Sequence, residues 1–277
     1  MHLTDPTPKS KPVRKGLRSL GEVNTFESDF LKMTSDLGQI PVETVVVKPE
    51  HRLIVHSEPR GPGADRFRYL RMRLRELREK GQLKSLVITS PTPQDGKSTV
   101  AMNLATILAE NGKWHVLLVE ADLHRPSVTK TLGVPAWPGL ADCLESGLDP
   151  LETIRKIEPL RWYLLQAGKP QGNPTELLQT APLPSLLDKL TSHFDWVIVD
   201  TPPVAPLTDA LCISRLVDAA LLVLRAGHTP QEMVHEALAM LGPGKVAGLI
   251  FNGAEELNRL YGKYAGYYGG NRPGAGM

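Results

Sequence analysis

Short apolar runs alternate with longer helical patterns from about residue 84 onward. Several of these runs are unbroken rather than alternating, as is typical of strands that are covered on both faces. The predicted strands are 86–88, 116–119, 162–165, 197–199, 221–224 and 246–251. Helical patterns such as 100–110 and 231–241 lie between them. Repeated β-α units of this kind predict an α/β fold with a doubly wound, mostly parallel sheet and right-handed crossovers.

The chain divides into three predicted parts. Residues 1–60 read as a basic, partly flexible N-terminal extension, in which prolines are mixed with lysines and arginines. Residues 61–256 form the α/β domain, and residues 257–277 form a tail rich in glycine and tyrosine. The start of the extension is interpreted as a solvated tail or as an arm that docks on an anionic membrane surface. The apolar spacing over 26–37 predicts a short amphipathic helix.

The composition of the chain mainly excludes certain functions and kinds of site. The 32 Lys and Arg residues nearly balance the 30 Asp and Glu residues, so the net charge of +2 gives no reason to expect nucleic-acid binding. The two cysteines fit neither a disulfide framework nor a metal site. No apolar run approaches the ~18–20 residues that span a bilayer, and the N-terminus lacks the pattern of a signal peptide. We therefore expect a soluble cytoplasmic protein that works beside a membrane partner.

A phosphate-binding loop follows the first predicted strand. Residues 89–99 read Thr-Ser-Pro-Thr-Pro-Gln-Asp-Gly-Lys-Ser-Thr and lead into an apolar helix, which is the context of a Walker A motif. Backbone N–H groups of such a loop and of the helix N-terminus favour anions. In this interpretation Gly96 lets the phosphates pack closely, Lys97 bridges the β- and γ-phosphates, and Ser98 coordinates Mg²⁺. In this chain, Pro91 occupies the position where the motif usually has its first glycine. The predicted nucleotide-binding residues here are Gly96, Lys97, Ser98 and Thr99.

Two further strands end in carboxylates. Glu120 and Asp122 follow one strand within Glu-Ala-Asp-Leu-His-Arg, and Asp200 ends another within Asp-Thr-Pro-Pro. Doubly wound sheets bind ligands at the carboxyl ends of their strands, so both groups are expected to converge on the loop. Carboxylate oxygens suit a Mg²⁺ ion that is bound with a triphosphate. The alternative is that Asp122 and Asp200 only cap helices or turns.

These three motifs resemble the Walker A, A′ and B motifs of the bacterial tyrosine kinases, or BY-kinases, over roughly residues 50–270. Further matches lie at 139–144, 173–178, 208–210 and 248–252. The resemblance implies a P-loop fold of the MinD/ParA-like superfamily that uses ATP and Mg²⁺. It also implies a cytoplasmic autokinase that regulates capsule or exopolysaccharide synthesis and export.

The resemblance assigns roles to the motif residues. The implied catalytic residues are Lys97, Glu120, Asp122 and Asp200. Glu120 would be the base that accepts the tyrosine proton, while Asp122 and Asp200 would join Ser98 in the metal shell. Two departures stand out, because the family usually has Asp where this chain has Glu120 and often Arg where it has His124. In related ATPases an Asn at the end of a late strand, here Asn252, contacts the adenine.

Residues 65–80 predict an arginine-rich amphipathic helix. Its apolar stripe is Phe67, Leu70, Leu74 and Leu77. Asp65, Arg68 and Arg71 fall where the kinases carry Glu-x-x-Arg-x-x-Arg, a motif of ring-like self-association, which favours a subunit interface. The alternatives are a solvated face with local ion pairs and a nucleic-acid patch.

Four of the six tyrosines lie close together near the C-terminus, interleaved with glycines. They are Tyr261, Tyr264, Tyr267 and Tyr268. Residues 257–277 also carry three Lys or Arg residues and no acid. A kinase reading makes these tyrosines phosphoacceptors that enter the active site of a neighbouring subunit, whereas the plain alternative is an adhesive tail.

Two other functions stay open at this point. A MinD- or ParA-like positioning ATPase is disfavoured because Thr92 stands where that group carries a signature lysine. A non-catalytic nucleotide-sensing regulator of polysaccharide export is the second alternative, and the departures at Glu120 and His124 keep it open. For the kinase, the resemblance implies a separate membrane protein that activates the chain and recruits it to the inner face of the membrane.

Overall fold

The computed structural model describes residues 37–81, 83–205 and 208–254. Residues up to Gln39 form a unit separate from Ile40–Met277, and only residues 37–39 of that first unit are described. Most of the predicted amphipathic stretch at 26–37 and all of the tail at 257–277 therefore lie outside the described residues.

The described elements alternate between strands and helices along most of the chain. In chain order they are β1 (Val42–Thr44), a 3-10 turn (Pro49–His51), α1 (Ile54–Ser57), α2 (Pro62–Glu79), β2 (Ser85–Thr89), α3 (Lys97–Ala109), β3 (Val116–Glu120), α4 (Val128–Leu132), α5 (Leu140–Ser146), α6 (Pro150–Thr153), β4 (Arg155–Glu158), β5 (Trp162–Leu165), α7 (Pro174–Leu177), α8 (Pro182–His193), β6 (Trp196–Asp200), α9 (Asp209–Leu216), β7 (Ala219–Arg225), α10 (Gln231–Leu241) and β8 (Val246–Asn252). All six predicted strands and both predicted helices are present.

The strands form one eight-stranded sheet in the order β1-β4-β5-β3-β6-β2-β7-β8. Every neighbouring pair is parallel except β4 and β5. The three central strands β3, β6 and β2 are buried at every position, because helices cover both faces of the sheet there. The expected doubly wound α/β fold is confirmed, and the carboxyl ends of these central strands meet at one edge of the sheet.

Part of the predicted N-terminal extension belongs to the packed unit. Strand β1 pairs with β4 through residues 42–44, and Leu53 and Val55 are buried in the main core. The packed unit begins at Ile40 rather than near residue 61, because these apolar side chains share a core with those of α3. The predicted boundary at residue 256 lies outside the described residues.

The arginine-rich segment forms helix α2, as its periodicity predicts. Leu74 is buried, and the other three residues of the apolar stripe are partly buried against the core. The helix begins at a proline, whose fixed backbone angle suits the first turn. Within the described ranges, no helix has the length and apolar character needed to cross a membrane.

Candidate functional site

The phosphate-binding loop joins β2 to α3 and is held in shape by Asp95. One carboxylate oxygen of Asp95 accepts hydrogen bonds from the Thr92 backbone N–H (3.0 Å) and hydroxyl (2.9 Å). The other accepts a bond from the Thr229 hydroxyl at 2.7 Å. Asp95 is fully buried, so these bonds compensate the cost of placing a carboxylate there. The loop is thus fixed by its own side chain and by the segment after β7.

Gly96 and Asn252 are in close contact at the end of this loop. Gly96 has a φ of +92°, and a Cβ at this position would lie 2.0 Å from Nδ2 of Asn252. The Asn252 side chain donates from Nδ2 to the carbonyl of Asp95 at 2.9 Å. Only glycine fits here, both for its backbone angle and for space. The adenine contact expected of Asn252 remains a prediction, since the described contact of its amide is with the loop.

Lys97 begins helix α3, and its side chain points towards an acidic cluster formed by Asp122 and Asp200. Its Nζ lies 3.0 Å from Oδ2 of Asp122 and 3.4 Å from the hydroxyl of Ser98. Burial lowers the pKa of Lys97, but the charges of Asp200 and Asp122 raise it more, so the net shift is upward. Lys97 is therefore held as a cation at the carboxyl ends of β3 and β6.

Asp200 ends strand β6 and is fully buried. Neither of its carboxylate oxygens has a hydrogen-bond partner among the described residues. Burial raises the pKa of Asp200 to about 6, against the opposing effects of the Lys97 charge and of the Ser98 hydroxyl. A buried carboxylate without donors is costly unless a cation or an ordered water accompanies it.

The residues around Asp200 fit a magnesium-bound nucleotide. The Ser98 hydroxyl accepts a bond from the Ser127 hydroxyl at 2.7 Å, and Asp122 is nearly buried beside Lys97. Together with the unpartnered oxygens of Asp200, they make a set of hard oxygen donors, which Mg²⁺ prefers. No group of three or more His, Cys, Asp or Glu in the described ranges could hold a metal by itself. A nucleotide-bound Mg²⁺ takes only one or two carboxylates, because phosphates and waters complete its shell.

Glu120 is fully buried at the end of β3, and donors surround its carboxylate. Oε1 accepts from the backbone N–H groups of Val128 (2.6 Å) and Thr129 (3.3 Å). Oε2 accepts from the Thr129 hydroxyl and from the Ala167 N–H at 3.4 Å. Glu120 therefore anchors the first turn of α4 and the loop after β5. The role of base predicted for Glu120 remains a prediction.

His124, in the A′ motif, contacts residues of two other predicted motifs, 173–178 and 208–210. Its Nε2 lies 3.1 Å from Oδ2 of Asp209, and the Thr175 hydroxyl donates to Oδ1 of the same carboxylate at 2.7 Å. Asp209 is completely buried, and Asn173 caps the short helix that carries Thr175. These contacts place the predicted motifs 173–178 and 208–210 around the loop that contains Asp122.

Arg68 and Arg71 on α2 both pair with one acid of the same chain. Glu110, just after α3, lies 3.0 Å from Arg68 and 2.8 Å from Arg71, and Arg68 also pairs with Asp65 at 2.9 Å. Arg71 donates in addition to the carbonyl of Ile107. The three predicted interface residues thus lie together on one side of α2, and all three already form ion pairs within the chain.

Sequence reasoning placed the main site residues near one another but missed their partners. The structure brings Lys97, Ser98, Glu120, Asp122 and Asp200 together at one edge of the sheet. Thr99 lies in the first turn of α3 and Asn252 against the loop. The phosphoacceptors Tyr261, Tyr264, Tyr267 and Tyr268 lie outside the described residues.

Three residues with a clear structural role were not singled out from the sequence. They are Asp95, Glu110 and Thr129. Asp95 stands directly before the Gly-Lys-Ser triplet, and that position was an available signal. The other two become recognisable only when separate elements of the chain pack together.

A family model and two known proteins resemble this chain. A family model for ParA, described as NUBPL iron-transfer P-loop NTPase, matches residues 84–250, which is more than half of the chain. The tyrosine-protein kinase YwqD of Bacillus subtilis strain 168 is 32% identical over 222 residues, covering 79% of this chain and 92% of that protein. The succinoglycan biosynthesis transport protein ExoP of Rhizobium meliloti strain 1021 is 30% identical over 232 residues, covering 76% of this chain and 29% of ExoP.

A solved structure of a tyrosine kinase domain has a similar fold. The kinase domain of the Escherichia coli tyrosine kinase ETK superposes with a TM-score of 0.69 and 29% sequence identity. The match covers 73% of this chain and 79% of that domain.

Proposed function

The chain belongs to the ParA family of P-loop NTPases and is a bacterial tyrosine kinase, and from that premise we propose that it phosphorylates tyrosines of its own C-terminal tail. The phosphate donor is ATP bound with Mg²⁺, and the tyrosines are Tyr261, Tyr264, Tyr267 and Tyr268. The reaction regulates the synthesis and export of an exopolysaccharide. The similarity to ExoP, a succinoglycan biosynthesis transport protein, supports this regulatory role.

The observation that carries this proposal is the buried carboxylate of Asp200 beside Lys97. Its two oxygens lack donors within the described part of the chain, and its pKa is raised to about 6. A site built only for stability would pair or replace such a group. A group that binds a metal shell needs those oxygens free.

The residues of the chain divide the work of phosphoryl transfer. Mg-ATP, when bound, supplies the phosphoryl group and neutralises charge on it. Asp122 and Asp200, with the Ser98 hydroxyl, hold the metal shell, and Lys97 stabilises negative charge on the phosphates. The loop amides and the first turn of α3 orient the phosphates.

Glu120 is the proposed acceptor of the tyrosine proton. Its Oε2 receives that proton when the Thr129 hydroxyl turns away, since this hydroxyl is the side-chain donor on that oxygen. Positioned proton transfer of this kind contributes roughly 10²- to 10⁴-fold in rate.

Self-association through α2 brings a tail to a neighbouring site in this proposal. Asp65, Arg68 and Arg71 form the contact between subunits of a ring-like homo-oligomer. Four phosphates would add about −6 to −8 charges to the basic tail, which then repels the acidic cluster and leaves.

A membrane protein of the export system is the proposed activator. The match to ExoP, a transport protein, covers 29% of that protein. That partner recruits this chain, which acts in the cytoplasm, to the inner face of the membrane.

The decisive experiment is incubation of the full chain with Mg-ATP, followed by mass spectrometry of the tail. We expect phosphotyrosine in residues 257–277 and none in Lys97→Met. Lys113→Met is the matched control, because Lys113 is exposed and lies outside the site. Tyr69, which is 63% exposed on α2, reports unselective labelling. Release of phosphate without labelled protein would indicate a ParA-like ATPase instead.

A further inference from the structure

A second cavity adjoins the phosphate site on the far side of Glu120. It has a volume of about 330 Å³ and is bounded by the first turn of α4, the segment before α5 and the loop after β5. Its lining includes Glu120, Thr129, Ala136, Trp137, Gln166 and Lys169. Glu120 thus lies between the acidic cluster and this cavity. None of the three sequence motifs accounts for its walls at 136–138 and 166–169.

The walls of the cavity are fixed by backbone contacts. Leu140 and Ala141 donate their N–H groups to the carbonyls of Gln166 and Ala167, at 2.8 and 2.9 Å. A Cβ on Gly139 would lie 2.2 Å from the Gln166 carbonyl oxygen. This close approach requires glycine, and it holds the segment before α5 against the loop after β5.

The side-chain amide of Gln166 fixes the segment that carries Trp137. Its Oε1 accepts from the Trp137 N–H at 3.3 Å, and its Nε2 donates to the Pro135 carbonyl at 2.9 Å. The Trp137 indole is partly buried against the core, and the Arg155 guanidinium lies 5.6 Å from the centre of its ring. The indole is therefore held in place from two sides.

The chemistry of the cavity suits an aromatic ring that carries one polar group. Prolines and alanines add apolar surface beside Trp137. The indole Nε1–H is buried and has no hydrogen-bond partner among the described residues. Glu120 and Thr129 bring oxygen atoms to the wall nearest the phosphate site. The volume lies at the lower end of ligand pockets, which suits one side chain better than a nucleotide.

We propose that this cavity holds the aromatic ring of the acceptor tyrosine and that Trp137 is the residue that selects it. The inference rests on the proposed tyrosine kinase function and identifies its acceptor side. The ring packs on the indole, and its hydroxyl lies at the wall formed by Glu120 and Thr129. Loss of one aromatic pair weakens binding by roughly 3- to 10-fold, to which lost apolar contact adds.

The test uses the full chain with Phe at all four tail tyrosines and a separate peptide of residues 261–270 as acceptor. Trp137→Ala is expected to raise KM for the peptide at least 10-fold and to leave the Kd for ATP within twofold. Trp137→Phe keeps a ring but removes the N–H, so a smaller rise of about 2- to 3-fold is expected. Trp114→Ala is the matched control, because Trp114 is partly buried elsewhere and stacks with Arg78.

Ala136→Trp fills the cavity without removing any packed group, since Ala136 is exposed at its rim. It is expected to abolish peptide phosphorylation while ATP still binds, so the test does not depend on the folding of Trp137→Ala. The anisotropy of a labelled peptide measures acceptor binding independently of turnover, and its affinity should fall in the same order of variants.

Each remaining outcome separates this inference from the proposed function. Equal peptide KM and affinity in all variants would overturn the acceptor pocket and leave the kinase function standing. Weaker ATP binding in Ala136→Trp would assign the cavity to the nucleotide and equally overturn it. A wild-type chain that binds ATP and peptide but transfers no phosphate would contradict the kinase function, while the binding series still decides the pocket.

Discussion

Glu120 and Asp200 are register partners at the ends of β3 and β6, and both carboxylates are fully buried. The Ala121 N–H donates to the Asp200 carbonyl at 2.8 Å, which fixes the two strand ends against each other. Four donors satisfy one of these acids, whereas the other has none among the described residues. The charge of Glu120 also contributes to the raised pKa of Asp200. Two neighbouring acids thus have opposite environments.

Asp200→Asn is expected to make the ligand-free protein more stable at neutral pH. The folded pKa of Asp200, about 6, lies above its unfolded value. Its protonated form therefore contributes stability below about pH 4, and this contribution is lost as the pH rises to about 6. Two pKa units correspond to roughly 3 kcal/mol, so the variant should gain up to that amount at pH 7–8.

Urea unfolding of both proteins between pH 4 and pH 8 checks this expectation. The difference should shrink towards zero at pH 4, where both side chains are neutral. Asp188→Asn is the control, because Asp188 is exposed on α8 and lies outside the site. A stability difference that does not change with pH would contradict the assignment.

Thr129→Val and Glu120→Gln separate the two roles of Glu120. If Oε2 receives the tyrosine proton, Thr129→Val removes one of its two donors and phosphoryl transfer persists, whereas Glu120→Gln cuts transfer sharply with ATP binding retained. Glu120→Gln should also cost about 1–3 kcal/mol, because an amide nitrogen cannot accept the bonds that the carboxylate accepts now. Single-turnover rates and the free energy of unfolding are the measurements, with Thr131→Val as control. Equal rates in Glu120→Gln and wild type would exclude the base role.

The double variant Arg68→Ala with Arg71→Ala is expected to lower the molar mass of the assembly and to leave ATP affinity unchanged. Burial raises the pKa of Glu110, but the hydrogen bonds from the two guanidinium groups lower it more. Glu110→Gln weakens these intrachain pairs and keeps both arginines, so it should cost about 1 kcal/mol and leave the mass unchanged. Light scattering measures the molar mass of the assembly in both variants. Equal loss of mass in both variants would mean that the arginines act only by holding α2 on α3.

His124→Ala should lower kcat several-fold and reduce stability by about 1–3 kcal/mol. It leaves one oxygen of the buried Asp209 carboxylate without its donor, and the loop that carries Asp122 loses that attachment. His124→Arg should restore both quantities, because a guanidinium also donates to a carboxylate. His228→Ala is the control, since His228 is exposed and outside the site. Unchanged kinetics in His124→Ala would show that the loop holds its position without this contact.

The sequence predicts the sheet well where burial dominates. Strands such as β3 and β6 are covered on both faces, so their residues form unbroken apolar runs. Strands β1 and β4 were not predicted, because they are three and four residues long and mostly polar or half exposed. The pairing of β4 with β5 and β1 forms them, and such pairing leaves little trace in local sequence.

The sequence likewise predicts some residues of the site but not their partners. The meeting of Lys97, Asp122 and Asp200 follows from the rule that ligands bind at the carboxyl ends of parallel strands. The partners of Arg71 and Glu120 could not be predicted, because they depend on how separate elements pack. Glu110 is 39 residues from Arg71, and Thr129 meets Glu120 only because the chain folds back after Arg125.

The attachment of Asn252 to the phosphate-binding loop sets the reach of everything that follows it. Tyr261 is nine residues and Tyr268 sixteen residues beyond Asn252, so an extended chain carries them at most about 30 Å and about 55 Å from that point. The tail thus starts beside the chain's own phosphate-binding loop. Each of these tyrosines is therefore close enough along the chain to reach the chain's own site. Short tethers produce effective concentrations in the millimolar range. A neighbouring subunit receives the tail only if it offers its site at a comparable effective concentration, and a dilution series would measure that competition.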